Sequence, residues 1–295
     1  MTTFLVTHRT RYRYAEEVVA SYGQATLLPR SLPHQQVQDA SLAIEPAPED
    51  ARERVDFHGN RSVHFTIHDP HRRLVVTARS RVQVAAPGPE DLDVPAGQLA
   101  WEQVRDRVAT ATDPMGLDAR MFVLDSPLVP ASPRLAAWAA PSFPPGRPVV
   151  AAVVDLASRI HADFEFESGA TTVTSTIDDL LDGGKGVCQD FAHLMIGSLR
   201  SRGLPARYVS GYVETRPPPG RPKRRGSDVS HAWASAWIPD LGWIDLDPTN
   251  DKRIDDGYVT TAWGRDYGDI TPLKGIIFTD GTTEELTVEV DVERV

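Results

Sequence analysis

The stretch Gly186–Gly203 constrains the fold most. It reads Gly-Val-Cys-Gln-Asp-Phe-Ala-His-Leu-Met-Ile-Gly-Ser-Leu-Arg-Ser-Arg-Gly and holds Cys188, the only cysteine in 295 residues. Asp182-Gly-Gly-Lys-Gly breaks the chain just before it. Phe191, Leu194, Met195 and Leu199 then recur at helical spacing. Gly203 stands where a glycine caps a helix end, and Pro205 forbids continuation. The pattern predicts a loop feeding a buried helix, with Cys188 in the first turn.

A thiol in a first turn has a chemical use. Unpaired backbone N–H groups and the positive end of the helix dipole favour an anion there. Such a cysteine is a candidate thiolate nucleophile. The competing assignment is an inert, buried structural cysteine. Position alone leaves both open.

Residues 1–86 alternate with period two. Phe4, Val6, His8, Thr10, Tyr12 and Tyr14 share one face, and Leu5, Thr7, Arg9, Arg11 and Arg13 the other. Leu42–Glu45, Arg54–Phe57, Ser62–His68 and Leu74–Val84 continue the pattern. His58-Gly59-Asn60 and Asp69-Pro70 mark turns. Short strands at this spacing predict an antiparallel β-sandwich. Only Val18–Leu28 is ambiguous between strand and helix. His58, His64, His68 and His71 cluster here. A metal site is one account of them. The solvent face of a strand is the other, because His64, Thr66 and His68 alternate with Val63, Phe65 and Ile67. No carboxylate or cysteine completes a zinc-like spacing, so no metal is expected.

Proline and acidic residues over 87–97 read as a domain boundary. Residues 98–140 are mixed, with helices predicted at Trp101–Val108 and Pro133–Ala140. Val149, Val153, Leu156 and Ile160 recur at helical spacing and open a second domain. Ser175 or Thr176 is placed to cap a short helix over Ile177–Leu181. The expected division is therefore a β-sandwich at 1–86, a partly helical linker at 87–148 and a catalytic domain at 149–295. The fold class is α+β.

Beyond Gly203, Ala206–Glu214 alternates as a strand. Arg216–Arg225 carries five positive charges in ten residues among prolines, which predicts a solvated, extended loop. Its functional alternative is a basic rim that attracts an acidic peptide or protein substrate. In Ser230–Ile238, His231, Trp233, Ser235 and Trp237 share one face, and Ala232, Ala234, Ala236 and Ile238 the other. The small residues suit a strand pressed under the cysteine helix. Pro239–Gly242 turns the chain, and Trp243–Asp247 returns as a strand that Pro248 stops.

Cys188, His231 and Asp247 thus supply a nucleophile, a base and a carboxylate to orient the base. Hairpin arithmetic tests the grouping. A two-residue loop would put His231 and Asp247 on opposite faces. A three-residue loop over Pro239–Leu241 pairs Trp233 with Asp247 and makes His231 a diagonal neighbour on the same face. Asp245 is the competing carboxylate but lies nearer the turn. His193 is the competing base, but it lies well round the helix and is expected to give packing or hydrogen-bonded support. His8 and His34 have no supporting context. Trp233, Trp237 and Trp243 belong either to the core or to a substrate cleft.

Several ordered motifs resemble one family. They are Gly186–His193, Pro205-Ala-Arg-Tyr-Val-Ser-Gly-Tyr212, His231-Ala-Trp233 and Gly242-Trp-Ile-Asp-Leu-Asp-Pro-Thr-Asn250. Together they resemble the bacterial transglutaminase-like family of the papain-like thiol-enzyme superfamily. The tail Gly264–Pro272 and the start, with His8–Tyr14 and Leu28-Pro-Arg30, resemble it too, the latter its β-rich N-terminal domain. The resemblance implies a papain- or transglutaminase-like core with the nucleophile helix packed on an antiparallel sheet. It also implies Cys188 as nucleophile, His231 as base and Asp247 as orienting acid.

The expected activity is a cysteine peptidase or amidase working through a thioester, with water as the acceptor. The Cys188 N–H is one oxyanion donor, and the sequence does not identify a second. Acyl transfer to an amine, as in transglutaminases, and a non-catalytic peptide-binding module are the alternatives. No cofactor is expected. A net charge of −10 argues against a nucleic-acid partner. The single cysteine and the lack of any long apolar run lead to the expectation of a cytoplasmic protein without a membrane partner.

Overall fold

The computed structural model describes residues 1–87, 92, 94–172, 174–215 and 230–295. The basic loop at 216–225 lies outside the described residues. The N-terminal alternation forms β1 (Thr2–Val18), β2 (Ala20–Ala25), β3 (Gln35–Glu45), β4 (Asp50–Val55), β5 (Arg61–Ile67) and β6 (His71–Val84). The ambiguous segment 18–28 therefore contributes a strand. Next come helices α1 (Trp101–Thr110), α2 (Pro114–Met121), α3 (Pro133–Ala139) and α4 (Val149–Asp163). Ser132 caps α3 ahead of its N-terminal proline. Short β7 (Glu165–Phe166), α5 (Ile177–Gly183) and β8 (Lys185–Gly186) lead into α6 (Cys188–Arg200). Strands β9 (Ala206–Val213), β10 (Ser230–Ile238), β11 (Gly242–Asp247), β12 (Lys252–Arg253), β13 (Tyr258–Gly264), β14 (Leu273–Phe278) and β15 (Thr283–Arg294) complete the chain.

Two four-stranded antiparallel sheets, β15-β1-β6-β3 and β14-β2-β5-β4, make the sandwich. They close over Tyr14, Phe65, Ile67, Leu74 and Val76. One strand of each sheet comes from the C-terminal end. The expected division assigned 149–295 to the catalytic part, yet β14 pairs with β2 and β15 pairs with β1 from Phe4 to Tyr14. The physical reason is the edge of β1. A strand of 17 residues would otherwise present a long unpaired backbone on one side.

The third sheet is five-stranded and antiparallel, in the order β12-β11-β10-β9-β13. Helix α6 lies on one face of it. Phe191, Leu194, Met195 and Leu199 share a core with Ala232, Ala234, Ala236 and Ile238, so the small residues of β10 do sit under the helix. The helix ends in a Schellman motif. The Leu204 N–H donates to Leu199 O and the Gly203 N–H to Arg200 O, with Gly203 at φ 72°. Buried Arg200 ties this end down by donating to Phe122 O, Ala206 O and Arg265 O.

The sandwich docks along β13, at the edge of the sheet beyond β9. Two buried side-chain amides form the clamp. Gln35 donates to Thr260 O at 2.7 Å and accepts from the Thr260 N–H at 2.8 Å. Asn60 does the same at Trp263, donating at 2.8 Å and accepting at 2.9 Å. β13 is an edge strand, so these backbone groups have no neighbouring strand to pair with. The amides replace one. The apolar part of the contact joins Phe4, Val82 and Val292 to Tyr212 and Val259, and Tyr212 Oη lies 3.1 Å from His8 Nδ1. Asn60→Ala and Gln35→Ala each leave a buried N–H and C=O unpaired, so each should cost about 1–3 kcal/mol of stability. Urea unfolding of both variants measures this, and a change no larger than at an exposed site would remove the clamp from the account.

Candidate active site

The entry to α6 is fixed by a carboxylate. Asp190 Oδ2 accepts from the Val187 N–H at 2.8 Å and from Thr171 Oγ1 at 2.6 Å. The helix thereby begins at Cys188, which is half-buried. Its thiol sits where the unpaired N–H groups of the first turn favour negative charge.

The hairpin of β10 and β11 has the three-residue loop. Ile238 pairs with Gly242 and Ala234 with Leu246. This is the register that puts His231 and Asp247 on one face, and they meet there. His231 Nε2 donates to Asp247 Oδ2 at 2.7 Å. The loop accommodates the extra residue by placing Asp240 and Gly242 at positive φ, 67° and 81°. Gly211 on β9 stands opposite His231. A Cβ there would collide with the Trp233 ring and the Val259 carbonyl, so the position admits only glycine.

Asp247 has no exposed surface. A buried carboxylate is tolerable only if its lone pairs are filled, and these are. Oδ1 accepts from the Thr249 N–H at 2.9 Å and the Asn250 N–H at 3.2 Å. Oδ2 accepts from Asn250 Nδ2 at 2.6 Å and Tyr258 Oη at 2.7 Å as well as from His231. Burial pushes the Asp247 pKa up, but the bonds from His231, Asn250 and Tyr258 outweigh it and the net shift is down. His231 is also buried, which by itself lowers its pKa. Hydrogen bonds and charge at Asp247 and Cys188 override that effect and raise it from 6.5 to about 10. With Nε2 given to Asp247, Nδ1 is the ring nitrogen left for the thiol. Because the folded-state pKa is raised, protonated His231 adds to stability fully below about pH 6.5, and that contribution is lost as pH rises through about 10.

The remaining candidates separate from this group. Asp245 pairs with Ser235, two residues nearer the turn. His193 is buried and accepts from the Tyr267 N–H at 3.2 Å, and burial first, with Arg200 adding to it, lowers its pKa to about 4. It is a neutral strut between α6 and the tail. Trp233 and Trp237 are core residues. Trp243 is half-buried at a cavity on the sandwich side. The four N-terminal histidines are dispersed on separate partners, Ser62, Glu49, Ser21 and Asp269 among them. Among the described residues no group of three metal-binding side chains forms. Asn250 and Tyr258, both partners of Asp247, are not among the residues expected from the sequence to act at the site. Asp-Pro-Thr-Asn is an Asx-turn signature that marks Thr249 and Asn250. Nothing local marks Tyr258, which enters from the start of the far edge strand.

The profile of the bacterial transglutaminase-like N-terminal region matches residues 4–83, and that of the transglutaminase-like superfamily matches residues 138–248. An uncharacterised protein of Mycobacterium tuberculosis is 42% identical over 296 residues, covering 98% of this chain and 92% of its own. The chain belongs to the bacterial transglutaminase-like family. A Mycobacterium leprae member is 36% identical, with 98% of each chain covered. Over 113 residues, 37% of this chain, the family member is 32% identical to a protein-glutamine gamma-glutamyltransferase of Pseudomonas aeruginosa, of which the match spans 17%. A crystal structure from Cytophaga hutchinsonii, of a candidate cysteine protease, superposes with a TM-score of 0.72 at 22% identity over 99% of this chain and 91% of that one. It shows the same fold. Among the described residues, no helix of this transglutaminase-like chain is long and apolar enough to cross a membrane.

In Asp247→Asn the imidazolium loses its charged acceptor. Its pKa should fall from about 10 by one unit or more. NMR titration of His231 in the two proteins reads this, and an unchanged value would mean that Asp247 does not hold the charge.

Proposed function

We propose that this transglutaminase-like protein is a thiol-dependent hydrolase of amide bonds, a cysteine peptidase or amidase, with Cys188 as nucleophile, His231 as base and acid, and Asp247 as the orienting carboxylate. One observation carries the reading. A buried histidine bonded at Nε2 to a fully buried carboxylate has its pKa raised by the thiol at the start of α6 as well as by that carboxylate. A structural histidine in a core has no need of either partner, and buried His193, neutral and bonded to a backbone N–H, is the contrast within the same molecule.

His231 takes the Cys188 proton, giving a thiolate–imidazolium pair. The sulfur attacks the amide carbonyl and a tetrahedral oxyanion forms, stabilised by the Cys188 N–H. His231 returns the proton to the leaving amine as the C–N bond breaks, which leaves a thioester. Water, deprotonated by His231, adds to the thioester, and the acid and the free thiol are released. No cofactor enters the cycle. Asp247 keeps its charge throughout and holds the ring orientation.

Acyl transfer is the second reading, favoured by the similarity to the Pseudomonas aeruginosa protein-glutamine gamma-glutamyltransferase. It uses the same thioester, with an amine in place of water. Cys188→Ala should lose amide cleavage by on the order of 10⁴-fold with the fold retained. Adding a labelled amine to the wild-type reaction separates the readings, since incorporation means transfer and release without it means hydrolysis. Cleavage undiminished in Cys188→Ala would sink both.

The substrate in this proposal is a peptide or protein of acidic character. The basic run Arg216–Arg225 is what supports it. Changing its arginines to glutamine should raise KM for acidic peptides several-fold and leave kcat intact. Equal KM values would withdraw the charge preference.

A further inference from the structure

On the face of the five-stranded sheet away from α6, three neighbouring strands carry a row of polar side chains. Ser235 on β10 pairs with Arg207 on β9 and with Asp245 on β11. Each of the three has a buried atom without a hydrogen-bond partner, namely Arg207 Nε, Ser235 Oγ and Asp245 Oδ1. Buried polar atoms are nearly always satisfied. Three exceptions in one row point to a common cause. Arg207 and Asp245 line a cavity of about 380 Å³ between the sheet and the sandwich.

Arg207 is prepared for an anion. It is only 7% exposed. Its guanidinium lies between two indoles, with Cζ 4.1 Å from the Trp243 ring centre and 3.7 Å from that of Trp263. The rings cover both faces and leave the N–H edge for a partner. Burial lowers its pKa to about 9, and Asp245 acts on it through space without forming an ion pair. His34 also lines the cavity. Burial lowers its pKa, against a smaller opposing effect of Asp245, so at neutral pH it adds no charge. Among the described residues, the Arg207 cation and two carboxylates, Asp245 and the more exposed Asp118, therefore line the same space, and Arg207 forms an ion pair with neither. The volume is near the lower bound for ligand sites, roughly 300 Å³, and far above the 30 Å³ share of one water. Leu32, Phe122, Trp243 and Trp263 supply an apolar wall.

We propose that this cavity binds a free α-amino acid with an apolar or aromatic side chain, its carboxylate on Arg207 and its ammonium on Asp245. The zwitterion carries one charge for each of these two side chains. Neither Cys188 nor His231 nor Asp247 lines this cavity. The site is separate from the proposed catalytic one and does not rest on the hydrolase reading.

Calorimetric titration and tryptophan fluorescence with L-phenylalanine and L-leucine test the assignment. Both probes should bind the wild type at one site per chain and perturb Trp243 and Trp263 emission. Cys188→Ala should bind equally well. Asp245→Asn keeps the shape and removes the charge, so it should weaken L-phenylalanine by about tenfold or more. On the wild-type protein, 3-phenylpropionate and 2-phenylethylamine, each with one of the two charges, should bind about tenfold more weakly too. This arm needs no variant to fold. The assignment fails if neither amino acid binds, if either one-charge analogue binds as well as L-phenylalanine, or if a folded Asp245→Asn protein binds it undiminished.

Discussion

The Asp247 carboxylate is the constraint on which the half that carries the candidate site depends. Desolvating an ion costs several kcal/mol unless its lone pairs are filled, and Asp247 has no exposure at all. Its five donors come from three places in the chain. His231 reaches it only in the three-residue hairpin register. Thr249 and Asn250 reach it because Pro248 ends the strand and the next residues turn back. Tyr258 reaches it from the start of β13, at the opposite edge of the sheet. Satisfying one buried charge thus ties down a turn, a register and a strand order. The same network holds the proton on His231 beside the first turn of α6.

The two faces of that sheet have different uses. The alanine face of β10 admits the helix and so sets where Cys188 stands. The other face meets the sandwich through polar contacts that a hydrophobic seam could not make directional. Gln35 and Asn60 read the backbone of β13 as a neighbouring strand would. Arg30, Trp263, Arg207 and Trp243 stack in alternation, with Arg30 Cζ 3.2 Å from the Trp263 ring centre. Arg30 is anchored in the sandwich side by donating to Asn60 Oδ1 and His58 O. The stack carries the N-terminal unit onto the five-stranded sheet and shapes the cavity between them.

Much of this was legible from residues in order. Cys188 at a helix start and the alanine face of β10 follow from periods of 3.6 and 2, while the pairing of His231 with Asp247 hung on a turn length that only the strand register decided. Those signals are local, so they survive without a partner. The contributions of β14 and β15 to the sandwich, of Tyr258 to Asp247 and of Asn60 to β13 were not legible. Each joins residues that lie far apart in the chain or sits where no periodicity extends.

The sequence by itself determined the cysteine helix, the alternating strands of the N-terminal region and the two hairpin strands that carry His231 and Asp247, and it offered three side chains as candidates for thiol chemistry, because backbone propensity and alternation are fixed within a few residues. Only the tertiary structure decided who pairs with whom: the C-terminal strands with β1 and β2, the tyrosine of the far edge with the buried carboxylate, and Arg207, Ser235 and Asp245 in one unpartnered row. Those outcomes depend on strand order and docking, which minimise open edges and unpaired buried groups over the whole molecule at once.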